Sequence, residues 1–191
     1  MAHQQESLSE KESLNIIQEM IGKAKGDLRG SSFYILLWGW VVFAGSIIHY
    51  LLLTFSTIRH PEWAWLIIVI GIAGSIIKGI IDRKNEGAST YSGHLHTVVW
   101  VTFMVNYFII LFFIAKVNFY IMPLVLIMAA SSTYLSGSII KFTPLKLGAV
   151  FIWLMAIAGF LLSLPYQLLA GAAALLFGYL VPGYMLKYSG E

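Results

Sequence analysis

A chain of 191 residues that is 59% hydrophobic and only 11% charged, with a net charge of +3, lies far from the balance of a soluble domain, in which about a quarter of residues are charged. The composition excludes a soluble globular protein and indicates an all-α polytopic membrane protein. The chain has no cysteine, so disulfides, thiolate nucleophiles and thiol redox relays are excluded together.

Residues 1–30 differ in kind from the rest. "SLSEKESLNIIQEMIGKAKGDLRG" is polar and charged. Acidic residues crowd it, and it lacks the apolar core of a signal peptide. Ser9 and Glu12 have capping-box spacing, and Leu14, Ile17, Ile21, Ala24 and Leu28 follow three and four apart as an apolar stripe. An amphipathic cytoplasmic helix is expected, with Gly26 and Gly30 punctuating the run before the membrane. Two uses fit it: lying in the membrane interface beside anionic head groups, or docking a cytoplasmic protein partner through residues 9–28.

Residues 31–191 form the transmembrane domain. Six apolar stretches are long enough to cross a hydrocarbon core of about 30 Å: Phe33 to Phe55, Ala64 to Ile81, Thr97 to Ala115, Val117 to Ile140, Leu147 to Leu164 and Tyr166 to Leu186. Little more than Lys116 separates the third from the fourth, and Pro165 the fifth from the sixth, so both pairs are expected to be tight hairpins. Of the twelve Lys and Arg, only Arg59 and Lys116 fall on one side of this threading. Short loops rich in these residues stay cytoplasmic, which predicts both termini inside. Trp63, Trp65, Tyr120 and Tyr166 fall near the outer boundary, and Tyr34, Trp38, Tyr91, Tyr184 and Tyr188 near the inner one, where amphipathic rings anchor.

The even-numbered spans each carry Gly-x-apolar-apolar-Lys near the predicted cytoplasmic end: Gly74 to Lys78, Gly137 to Lys141 and Gly183 to Lys187. On a helix the glycine would admit a neighbouring backbone while the lysine reaches anionic lipid head groups. A repeated hairpin unit would produce this pattern, and so would packing combined with a topology signal. Gly71, Gly74, Gly171 and Gly178 are further expected to leave small-residue surfaces for a homo-oligomer.

Groups suited to chemistry are few. His94 and His96 fall on the connection after the second span with Asp82 and Glu86, but their spacing matches no zinc site, and a solvated loop is the simpler reading. "YSGHLH" at Tyr91 shares Ser-Gly-His with membrane phosphatidic-acid-type phosphatases, yet the basic-Pro and Ser-Arg motifs of that family are missing. No H-E-x-x-H and no Gly-x-x-x-x-Gly-Lys-Ser/Thr occurs. The expectation is a protein that is not an enzyme and uses no cofactor, metal or nucleic acid. Within the spans, Asn106 on the third and Ser131, Ser132 and Thr133 on the fourth lie at similar depth. They are expected to join in an interhelical hydrogen bond or to line a substrate path.

"ESLNIIQEMIGKAKGDLRG" leading into "FYILLWGWVVFAG" resembles a group of small membrane proteins of Bacteroidota-type bacteria, in which a short cytoplasmic helix precedes a Leu-Trp-Gly-Trp first span. The resemblance covers about the first fifty residues. It implies a multi-pass protein of the bacterial inner membrane and supplies no substrate or catalytic residue. The functional expectation is a non-catalytic regulatory or structural membrane component that meets a partner protein and anionic lipid. The alternative is a small transporter or channel acting as an oligomer.

Overall fold

The computed structural model describes residues 10–85, 91–117 and 120–189, with 10–31, 83–85 and 91–92 as backbone alone. Ser9, Glu86 and the side chains of the N-terminal apolar stripe lie outside it. Among the described residues all regular structure is helical, and six helical segments are long and apolar enough to cross a membrane: Ser32–Phe55, Pro61–Asp82, Gly93–Phe112, Ile121–Ile139, Thr143–Leu161 and Leu164–Ser189.

Helix α1, Glu10–Phe55, runs 46 residues without a break through Gly26 and Gly30. The two glycines that punctuate the sequence there do not interrupt the helix. Glycine lowers helix propensity by about 1 kcal/mol but keeps its N–H, so the hydrogen-bond ladder continues through it. The second span opens with a 3₁₀ turn, Pro61–Ile67, and continues as α2, Ile68–Asn85. Helices α3, Tyr91–Phe112, α4, Ile121–Ile139, and α5, Thr143–Leu161, follow. The last span is composite: α6, Leu164–Leu175, a π segment, Leu176–Leu180, and α7, Val181–Ser189.

Proline sets these boundaries. Pro61, Pro144 and Pro165 sit at the first two positions of their helices, and Pro123 is the third residue of α4. A missing N–H costs nothing in a first turn. Pro182 is the exception, because it lies inside the sixth span. There its ring would collide with the carbonyl four residues back, that of Gly178. The π segment just before it widens the turn, with the Val181 N–H donating to the Leu176 carbonyl, five residues back.

The Gly178 carbonyl, which Pro182 cannot bond, lies against α5. A Cβ at Gly148 would lie 2.2 Å from the Gly178 oxygen, and one at Gly178 would lie 2.7 Å from the Gly148 oxygen. Two helices cross here backbone to backbone, which only glycine allows.

The core lies among α1, α4, α5 and the last span, where Ile35, Leu126, Leu145, Ile152, Tyr179 and Leu186 are buried together. The sixth span is 61% buried, whereas the second is 6% buried and the third 0%. Helix α2 packs on α1, and α3 packs on α4 with Trp100 edge-on to Tyr179 at 6.2 Å between centroids. The molecule is thus a four-span core with two peripheral spans.

The glycines expected to serve self-association are used inside this bundle instead. Gly71 receives the Trp38 ring, Gly74 receives Leu37, Gly171 receives Met122, and Gly178 faces Gly148 and Ile152. The protein's own large side chains fill the notches that a second copy would have needed.

Candidate functional site

The Leu-Trp-Gly-Trp run of α1 forms a junction, each residue docking a different neighbour. Leu37 fills the notch at Gly74, where a Cβ would meet its Cδ2 at 3.0 Å. Trp38 lies over Gly71 and donates its indole N–H to Ser75 Oγ at 3.0 Å. Gly39 receives Leu180 and Tyr179 of the π segment. Trp40 donates to the Tyr184 hydroxyl at 3.1 Å. Leu37 and Trp38 thus hold α2, while Gly39 and Trp40 hold the last span. Farther along α1, Trp65 of the 3₁₀ turn packs over Gly45 and donates to His49 Nδ1 at 3.0 Å. Trp38 and Trp65, expected as interfacial anchors, each close a hydrogen bond between the first two spans.

Along this junction runs an open groove of about 640 Å³, lined by Ser32, Phe33, Leu36, Leu37, Trp40 and Val41 of α1 and by Lys187 of α7. Helical spacing explains the lining: residues 33, 36, 37 and 40 share one α1 face. Leu37 leans toward Gly74 of α2 and Leu36 toward Gly183 of α7, and the groove runs along α1 beside Lys187 of α7. It is apolar except at one end. There Lys187 lies 6.0 Å from the Tyr188 ring centroid, and Lys78 stands 5.8 Å over the ring of Phe33. Lys78 is ion-paired with Asp82 one turn away; among the described residues Lys187 meets no carboxylate.

The three Gly-x-apolar-apolar-Lys copies consequently divide. Gly74 and Gly183 flank adjacent positions of α1, against Leu37 and against Ile35 with Leu36. Gly137 instead packs on Leu145 and Lys146 across the α4–α5 turn. Helix α4 ends at Ile139, so Lys141 is not on the glycine's helix face as in the other copies. It occupies the left-handed region at φ 55°, and the Phe142 N–H returns to the Gly137 carbonyl while the Lys141 N–H returns to Ser138. This is a Schellman closure with lysine where glycine is usual.

The expected hydrogen bond between Asn106 and the α4 patch does not form among the described residues. Asn106 Nδ2 donates to the Thr102 carbonyl at 2.9 Å, and the Ser131 hydroxyl donates to Ile127 at 2.9 Å. Each side chain takes the carbonyl one turn back in its own helix, which is available without any partner. Ser132 and Thr133 are buried, and the Thr133 and Ser136 hydroxyls are buried with no hydrogen-bond partner. Ser136 was not distinguishable by sequence from the many other small polar residues of membrane helices. His94 and His96 belong to α3 rather than to a loop. On that helix they diverge, His94 exposed and His96 half-buried against Trp100. Among the described residues no three His, Asp or Glu side chains gather closely enough to hold a metal ion. Comparison with protein-family models, with curated proteins and with solved structures finds no match to this chain.

Proposed function

We propose that the protein is a non-catalytic component of the bacterial cytoplasmic membrane, with both termini inside, that holds an anionic lipid in the α1 groove in a regulatory or structural role. The observation that carries this reading is an apolar groove ending at Lys187, a cation with no carboxylate partner among the described residues. An amphiphile has the matching chemistry: an acyl chain against Phe33, Leu36 and Trp40, and a negative head group at Lys187. The N-terminal segment then offers a route to a cytoplasmic protein partner through residues 9–28.

The test is mass spectrometry of the lipid retained through purification in mild detergent. Lys187→Gln is expected to lower retention of anionic lipid severalfold relative to zwitterionic lipid, and Lys141→Gln to leave it nearly unchanged. Equal retention by all three chains would contradict the reading. The unpartnered buried hydroxyls of Thr133 and Ser136 favour a second reading, a small transporter or channel acting as an oligomer, because polar groups inside a bundle mark substrate paths. Solute flux into vesicles that depends on the reconstituted protein and is lost in Thr133→Val would support it.

A further inference from the structure

Asn106 raises a question that the lipid groove does not answer. It lies on α3, the span with 0% of its residues buried, and its side chain is exposed on the outside of the bundle. In Gly93–Phe112 it stands between three and four residues past the middle, roughly 5 Å from the centre at 1.5 Å per residue. One amide N–H reaches the Thr102 carbonyl. Among the described residues the other N–H and the carbonyl oxygen meet no hydrogen-bond partner, at a depth where lipid offers neither donor nor acceptor. Thr102, one turn away, is exposed on the same side of α3.

We infer that α3 is the interface of a parallel homodimer, with Asn106 of one copy paired to Asn106 of the other. A carboxamide carries a donor and an acceptor and is complementary to itself. Two copies inserted with the same topology and related by a two-fold axis along the membrane normal bring each α3 residue opposite its own counterpart. Leu95, Val99, Thr102, Asn106 and Ile109 follow at alternating steps of four and three, the spacing of a two-helix seam. Within it a single asparagine fixes register. The small Thr102 allows close approach, and Ile109, 52% exposed, supplies apolar contact at the next turn. This surface is separate from the lipid groove and replaces the glycine notches, which the bundle fills itself.

Because the chain has no cysteine, single introduced cysteines test the interface in native membranes. Ile109→Cys, on the seam, is expected to form a disulfide-linked dimer under mild oxidation. Val101→Cys, equally apolar and exposed but off the seam, is expected to form little. Adding Asn106→Leu to Ile109→Cys should weaken the dimer about tenfold, and Asn106→Gln should restore part of the linkage. Equal linkage at residues 101 and 109, or linkage unaffected by Asn106→Leu, would overturn the proposal. Should Asn106→Leu fail to fold, the comparison of residues 109 and 101 in the chain with Asn106 intact still decides.

Discussion

At Gly148 a single methyl group would have to occupy the place of the Gly178 carbonyl, 2.2 Å from where its carbon would lie. The obstacle is backbone on a helix already widened for Pro182, so it cannot rotate away. At Gly39 the corresponding contact is Leu180 Cδ2 at 2.6 Å, the far end of a buried side chain rather than backbone. Gly148→Ala is therefore expected to destabilise the bundle by about 1–3 kcal/mol, as overpacked cores do, and Gly39→Ala by much less. Thermal unfolding of the two variants in one detergent checks the order; an equal or reversed effect would show that the two helices do not cross at Gly148. Lys141 is the opposite case, a residue whose left-handed φ would suit glycine better.

At the scale of elements, the second span is attached to the core by few interactions, and two of them are indole hydrogen bonds, Trp38 to Ser75 of α2 and Trp65 of the 3₁₀ turn to His49. Such bonds between spans contribute on average about 0.6 kcal/mol and at most about 1.7 kcal/mol. A double-mutant cycle with Trp38→Phe and Ser75→Ala should give a coupling in that range, and zero coupling would mean the α1–α2 contact rests on the glycine notches alone. The spans themselves were legible in sequence, because a bilayer demands long apolar runs whatever they pack against. Pro165 was legible too, as the break between the fifth and sixth spans. The π segment was not. Its signal, Gly178 four residues before Pro182, predicts a freed carbonyl, but the carbonyl's destination at Gly148 depends on a helix crossing that no local pattern encodes.

For the whole molecule, apolar periodicity could not say which spans are central, since every span is apolar on all sides. Glycine and tryptophan positions held that information in part. Leu-Trp-Gly-Trp stands out in the sequence as a tetrad, yet its role in joining α2 and the last span to α1 appears only in three dimensions. Likewise Gly74, Lys78, Gly183 and Lys187 were legible as one pattern, whereas the turn that removes Lys141 from it was not. Topology remains a prediction of charge bias, and single cysteines at Thr57 and Asn85 should react with an impermeant reagent from opposite sides of the membrane. Reaction of both from one side would reverse it. The most direct measurement of the central claim uses Trp40, which lines the groove, and phospholipids brominated on the acyl chain, which quench a tryptophan they touch. Quenching attributable to Trp40 is the difference between the natural chain and Trp40→Phe. A brominated anionic lipid at low mole fraction is expected to quench Trp40 well above its zwitterionic counterpart, and Lys187→Gln to remove the excess. Equal quenching by the two lipids, or an excess that survives Lys187→Gln, would contradict the claim.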